Sequence, residues 1–111
     1  MGGLIRGEIW SVAGGVYASK PRPAVVLQDD RFDGTDSVTV CPLTTTRVSA
    51  PLLRLPIPAD ALTGLDEASF VMVDKITTVR RAHLGQKIGR MSSPQLVDLE
   101  RLIMVFLGLA D

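Results

Sequence analysis

Disulfide bonds, His/Cys metal sites and membrane-spanning segments are largely excluded by what this sequence of 111 residues lacks. It contains one cysteine, Cys41, which cannot form an internal disulfide, and one histidine, so a zinc site built from His and Cys is nearly excluded. The longest apolar run, residues 102–107, is far shorter than the roughly 18 residues that cross a bilayer. The N-terminal residues lack the charged start and apolar stretch of a signal peptide, so we expect a cytoplasmic protein.

Net charge is also missing, because 12 Lys and Arg balance 12 Asp and Glu. A neutral chain does not hold a polyanion by bulk charge, so any basic site has to be local. The charges are unevenly distributed: no acid lies between Asp36 and Asp60 or between Asp74 and Asp98, whereas basic residues lie in both intervals. This pattern fits either an ordinary mixed surface or a groove that follows a phosphate backbone.

The residues that are present suit one compact domain, residues 1–111, with 46% hydrophobic and 22% charged residues. Ser93 and Pro94 predict the start of a helix, after which apolar residues repeat at three- and four-residue spacing to about Gly108. Short segments rich in β-formers predict strands at residues 5–12, 23–28, 37–43, 52–57, 69–73, 75–79 and 86–91. We therefore expect an α+β, mostly β fold: a small antiparallel barrel with a C-terminal helix.

Arg22 lies between Pro21 and Pro23, directly before a predicted buried strand. The proline rings fix their own φ angles and hold the preceding residues extended, so Arg22 is mounted on a stiff segment. Its guanidinium stays charged and matches the geometry of phosphate oxygens, which makes it a candidate electrostatic clamp. The alternative is a solvent-facing arginine in a stiff turn.

Three consecutive threonines, Thr44, Thr45 and Thr46, follow the strand predicted for residues 37–43. Threonine hydroxyls at a strand end commonly satisfy the backbone groups of a turn. The alternative is a hydroxyl that donates a hydrogen bond to a phosphate or to a developing oxyanion. Pro42 lies just before them and, since proline has no N–H to donate, it predicts an edge position or a strand exit.

Five segments, in matching order and spacing, resemble the MazF/PemK/Kid toxin family over nearly the whole chain. They are residues 6–10 (RGEIW), 22–28 (RPAVVLQ), 40–46 (VCPLTTT), 69–78 (SFVMVDKITT) and 84–91 (LGQKIGRM). No single segment is specific, but five in register are. The resemblance implies a small SH3-like barrel of the CcdB/PemK type with a C-terminal helix, assembled as a homodimer. It also implies a toxin of a type II toxin–antitoxin system that is inhibited by the acidic, extended C-terminal segment of a cognate antitoxin.

The same resemblance implies a sequence-selective endoribonuclease that cleaves single-stranded RNA without a metal or other cofactor. Arg22 falls on the family's Arg-Pro arginine and Thr44 on its strand-end Ser/Thr, so both are implied to act in cleavage. Asp74 falls where members have a functional Asp or Glu. It is either the proton acceptor or the partner of a nearby base such as Lys75 or Arg80. In the implied reaction the 2′-hydroxyl attacks the neighbouring phosphorus, giving a 2′,3′-cyclic phosphate and a 5′-hydroxyl.

Further contacts with RNA are expected from residues close to these positions in the sequence. Tyr17 is either an RNA contact or a packing residue at the base of its loop. Lys75 and Thr77 stand where the family often has Gln and Arg, so base selection is expected to differ. His83 is expected to be a surface or packing residue. The expected RNA contacts are Tyr17, Ser19, Lys20, Thr45, Thr46, Arg47, Lys75 and Arg80.

Two other classes of protein remain as alternatives. Toxins of the CcdB type share this barrel but poison DNA gyrase by binding, and they depend on apolar and aromatic residues at the C-terminal end. This chain ends in FLGLAD, with no terminal aromatic residue. A non-catalytic SH3-like adaptor usually displays several clustered aromatics to grip extended peptides, and a 5% aromatic content is low for that purpose.

Overall fold

The computed structural model describes residues 3–13 and 20–111, which form seven strands and one α-helix. The strand pairings among them are antiparallel. Short 3-10 turns occupy Asp30–Phe32, Val73–Lys75 and Arg81–His83. The elements are β1 (Glu8–Val12), β2 (Arg22–Val26), β3 (Ser37–Thr44), β4 (Arg54–Ile57), β5 (Ser69–Met72), β6 (Thr77–Arg80), β7 (Leu84–Arg90) and α1 (Ser93–Phe106). The predicted mostly β fold with a C-terminal helix is confirmed.

Strand β3 lies in the middle of the sheet and changes partner along its length. One edge pairs with β2, where Ala24 lies opposite Pro42. The other edge pairs first with β6, up to Val40 opposite Thr77, and then with β5, where Thr44 lies opposite Phe70. Of the two alternatives for Pro42, the edge position is therefore wrong, whereas the strand exit fits, since β3 ends at Thr44. Proline is tolerated because it lies between the segments paired with β6 and β5, where the ladder on that edge is interrupted.

The predicted barrel is not closed by strand pairing among the described residues. The strands follow the order β4-β5-β3-β2-β1-β7, with β6 attached to β3, so β4 and β7 are the two ends. A loop spans the gap instead: the backbone N–H of Arg90 in β7 donates to the carbonyl of Leu62, 2.9 Å away. Buried Thr63 holds this loop in shape, because its hydroxyl donates to the carbonyl of Pro58 over 2.8 Å.

Helix α1 closes one side of the sheet. Its N-cap is Ser92, one residue before the predicted Ser93, because Gln95 completes a capping box with Ser92 and not with Ser93. The Ser92 hydroxyl accepts from the N–H of Gln95, and the Gln95 side chain accepts from the N–H of Ser92. Leu99 of the helix is fully buried against inward-facing strand residues that include Val25 and Val71. The same cluster contains Leu43, the residue before Thr44 in β3.

Gly64 permits the close crossing between the loop and β7, and its replacement is expected to destabilise the fold. Its φ is +68°, and a Cβ at this position would overlap the carbonyl oxygen of Ile88. We expect Gly64→Ala to lower the free energy of unfolding by about 2 kcal/mol, measured by urea denaturation. Gly34→Ala is the control, because nothing lies within 4 Å of a Cβ at that glycine. Equal stabilities of the two variants would contradict this account of the crossing.

Candidate active site

A groove with a volume of about 550 Å³ opens at the start of β2, beside the loop that precedes β5. The basic residues Lys20 and Arg22 line it together with Thr45, which directly follows β3. The acidic residues Asp66 and Glu67, from the loop, also line it. The groove therefore combines cations, carboxylates and a hydroxyl, and it brings together three residues that the sequence analysis selected.

The strand register places Arg22 level with Thr44. Arg22 is the exposed first residue of β2 and lies opposite Val12 of β1. Because Ala24 lies opposite Pro42, two further steps outward along these antiparallel strands bring Arg22 level with Thr44. The two residues implied in cleavage thus lie at the same corner of the sheet, although 22 positions separate them in the chain.

The hydroxyl of Thr44 accepts a hydrogen bond from the turn that follows β3, and its own proton is still able to be donated. Thr44 is half-buried, and its Oγ1 accepts a hydrogen bond from the backbone N–H of Thr46 over 3.1 Å. A hydroxyl that accepts one hydrogen bond still has its own proton to donate. The two interpretations of the threonine run are therefore compatible: the same contact that shapes the turn also orients the Thr44 hydroxyl.

Asp74 forms an ion pair with Arg54, a residue that the sequence analysis did not select. Nη1 of Arg54 donates to Oδ1 of Asp74 over 2.5 Å, and Nζ of Lys75 lies 3.8 Å from Oδ2. The hydrogen bond from Arg54 and the charges of both cations hold the pKa of Asp74 below its ordinary value. A carboxylate with a lowered pKa is a weaker base, so the geometry favours the pairing interpretation of Asp74 over the proton acceptor.

The Arg54–Asp74 pair predicts a specific dependence of stability on pH. A carboxyl whose pKa is lower in the folded state stabilises the fold above its unfolded pKa of about 3.9, and this stabilisation is lost as pH falls through the folded pKa. Asp74→Asn should therefore unfold at lower urea concentration than the parent at pH 7, and the difference should shrink below about pH 4. Asp98→Asn, at an exposed position on α1, is the control. A difference as large at pH 3 as at pH 7 would refute this role.

The remaining expected RNA contacts fall into separate groups. Arg47 is exposed, and its Cζ lies 5.5 Å from the centroid of the Phe70 ring, next to Thr44. Thr46 lies in the same turn through its contact with Thr44. Lys75 lies beside the Arg54–Asp74 pair. Arg47 and Thr46 thus extend the candidate contacts beyond the groove at the end of β3. Lys75 follows the far end of β5, because the antiparallel pairing places Phe70, and not the end of β5, beside Thr44.

Arg80 is not brought to the groove. It lies opposite Ser37 at the first residue of β3, whereas Thr44 is the last. Seven residue steps along a strand correspond to about 23 Å. Tyr17 and Ser19 lie outside the described residues.

Two reactive side chains lie away from the groove. Cys41 is fully buried, its thiol donates to the carbonyl of Met72, and burial raises its pKa to about 12. His83 is exposed in the turn that precedes β7. Within residues 3–13 and 20–111, His, Cys, Asp and Glu do not form a group of three that could hold a metal ion. In the same part of the chain, no helix is both long enough and apolar enough to span a membrane.

Comparison with known proteins defines the class to which this fold and groove belong. The sequence model of the PemK-like, MazF-like toxins of type II toxin–antitoxin systems matches residues 5–107. The chain therefore belongs to this family, as the five resembling segments predicted.

Within the family, the chain is 48% identical over 106 residues to the probable endoribonuclease MazF of Mycolicibacterium smegmatis, covering 95% of this chain and 97% of that protein. It is 31% identical to endoribonuclease MazF9 of Mycobacterium tuberculosis, with 94% and 96% covered. Among solved structures, the M. tuberculosis toxin MazF-mt6 superposes with a TM-score of 0.79 at 26% identity, covering 96% of this chain and 100% of that chain.

Proposed function

We propose that this chain, as a single domain of residues 1–111, is a toxin that cleaves single-stranded RNA as a sequence-selective endoribonuclease. The observation that carries the proposal is the position of Arg22, exposed in a groove and level with Thr44 at the neighbouring strand end. The relatives from M. smegmatis and M. tuberculosis are both named endoribonucleases. Unpaired RNA is the expected substrate, because its bases can be splayed out and read.

In the proposed reaction the RNA supplies the nucleophile. The 2′-hydroxyl loses its proton as its oxygen bonds to the adjacent phosphorus, the P–O5′ bond breaks, and O5′ takes up a proton. The products are a 2′,3′-cyclic phosphate and a 5′-hydroxyl. The guanidinium of Arg22 neutralises the charge that develops on the phosphorane, and the hydroxyl of Thr44 donates to a non-bridging oxygen. The backbone that carries Arg22 is held by its flanking prolines, and the hydroxyl of Thr44 is oriented by its contact with Thr46.

The basic residues near this corner supply the local positive charge that the neutral chain requires. Lys20 lines the groove with Arg22, and Arg47 follows the threonine run. We propose that these residues bind the phosphate backbone of the RNA. The carboxylates of Asp66 and Glu67 repel phosphates, so we place the nucleobases on their side of the groove.

We propose that the chain works in the cytoplasm as a homodimer and is held inactive by an acidic, extended segment of a cognate antitoxin. The apolar side chains exposed at the end of α1 support a second copy as a partner. Met104, Phe106 and Leu107 are 40%, 46% and 55% exposed. A fold neighbour with a TM-score of 0.80 is an endoribonuclease in complex with its cognate antitoxin, from a mycobacterial species. A co-encoded acidic partner that failed to protect RNA from this protein would contradict the antitoxin assignment.

Incubation of the purified chain with a long single-stranded RNA in EDTA tests the proposed activity. We expect discrete cleavage products that are absent when Arg22 is replaced by alanine. The family match favours the nuclease over a CcdB-type gyrase poison. Intact RNA, together with inhibition of gyrase, would instead support the CcdB-type toxin. Intact RNA together with capture of an extended peptide would support an adaptor.

A further inference from the structure

The outer face of the sheet beside Thr44 carries an aromatic ring. Phe70 of β5 lies directly opposite Thr44, and Pro56 of β4 lies opposite Phe70 on the other edge. Directly opposite residues of an antiparallel pair project to the same face. Val71, the next residue of β5, is fully buried in the core, whereas Phe70 is only half-buried. The ring therefore belongs to the face that also carries Thr44.

Arg47 covers this ring. Its Cζ lies 5.5 Å from the ring centroid, and the side chain is exposed. Among the described residues, Arg47 forms neither an ion pair nor a side-chain hydrogen bond, so the cation–π contact with Phe70 is what positions its guanidinium. A guanidinium is flat and stacks on aromatic faces with one side and on nucleobases with the other. Phe70 thus positions the planar guanidinium of Arg47, which follows Thr44 by three residues in the chain.

We propose that Phe70 and Arg47 form a stacking platform for the nucleobase next to the scissile phosphate. This inference rests on the proposed endoribonuclease function, because it takes Thr44 as the residue at that phosphate. Paired strands lie about 4.8 Å apart, so a base adjacent to a phosphate held by Thr44 reaches the ring and guanidinium on the next strand. Stacking tolerates any base, because every base has a π-face, so the platform adds affinity at this position without selecting one base.

The test uses RNA oligonucleotides that carry an abasic residue at one position at a time around the mapped cut. A 2′-deoxynucleotide at the cut blocks cleavage so that binding is measured alone. We expect the parent protein to lose about tenfold to hundredfold in affinity when the stacked base is removed. Phe70→Leu keeps an apolar side chain and Arg47→Lys keeps the charge, but neither keeps the stack. Both variants should bind intact RNA more weakly and show no penalty at that abasic position.

The chain contains a matched control for this stack. Arg31 lies over the ring of Phe32, with its Cζ 5.7 Å from the centroid, in an exposed turn that does not line the groove. Arg31→Lys and Phe32→Leu should retain the full abasic penalty. Thermal unfolding of each variant confirms that it is folded. The fluorescence of 2-aminopurine at the stacked position should change on binding to the parent and to Arg31→Lys, but much less on binding to Arg47→Lys.

Two different results would overturn the platform. If Phe70→Leu and Arg47→Lys keep the parent's abasic penalty while RNA is still cut, the platform is wrong and the proposed function stands. If the parent neither binds nor cuts RNA, the proposed function is wrong, and the platform, which rests on that function, is wrong as well.

Discussion

Replacing Arg22 with alanine is expected to lower the single-turnover rate of RNA cleavage about 10²–10³-fold while the chain stays folded. The expected loss follows from removal of one preorganised charge that stabilises the transition state, which typically costs about 3–4 kcal/mol. Arg22 is exposed at the first residue of β2, so its side chain contributes little to the core. The rate is measured with enzyme in excess over a labelled RNA, and the fold by circular dichroism.

The control for this variant is Arg31→Ala. Arg31 is equally basic and exposed, but it pairs with Asp29 in the turn before β3 and does not line the groove. Arg22→Lys retains a charge without the bidentate fork, so an intermediate rate is expected. A folded Arg22→Ala protein that cleaves at the parent rate would refute the assignment of Arg22.

Replacing Thr44 with valine is expected to lower the cleavage rate about 10²-fold or more, whereas Thr44→Ser is expected to stay close to the parent. Valine keeps the shape of threonine but cannot donate to a non-bridging phosphate oxygen. Serine keeps both the donor and the acceptor that holds the N–H of Thr46. Single-turnover rates of the two variants are compared under the same conditions as for Arg22.

Loss of the turn contact with Thr46 is a competing explanation for a slow Thr44→Val protein. Thr45→Val removes the neighbouring hydroxyl, which lines the groove but makes no hydrogen bond to the turn among the described residues. Thr44→Val should be far slower than Thr45→Val, which controls for loss of a nearby hydroxyl. If the lost turn contact were the cause, Thr44→Val would also bind the 2′-deoxy RNA more weakly, whereas loss of the transition-state donor leaves that binding close to the parent's. If Thr44→Val and Thr44→Ser are equally slow, the hydroxyl of Thr44 is not the donor.

The strands and the helix were predictable from local sequence, because hydrophobic alternation and helix start signals are local. Residues 37–43 alternate and form β3, and Pro94 marks the first turn of α1. The partner of each strand is not a local property. Pro42 indicated an edge position or a strand exit, yet β3 is central. A proline fits there because the partner on one edge changes from β6 to β5 near that residue. Closure of the barrel likewise depended on a loop that reaches β7 without forming a strand.

The candidate site was predictable in part for the same reason. Arg22 and Thr44 could be selected from their flanking residues and from the family resemblance, but their common corner follows from the pairing of β2 with β3. Asp66 and Glu67 are adjacent acids in the sequence, yet nothing local shows that their loop folds back beside Arg22. The pairing of Asp74 with Arg54 depends on β4 lying beside β5, which is a contact between distant parts of the chain.

The chemical nature of the cut ends tests the central claim most directly, because only attack by the RNA's own 2′-hydroxyl leaves a cyclic phosphate. After digestion in EDTA, the account predicts a 2′,3′-cyclic phosphate on the upstream fragment, a 5′-hydroxyl on the downstream fragment, and no cut when the nucleotide before the cut is 2′-deoxy. Fragments with a 3′-hydroxyl and a 5′-phosphate, or cleavage of the 2′-deoxy RNA, would contradict it.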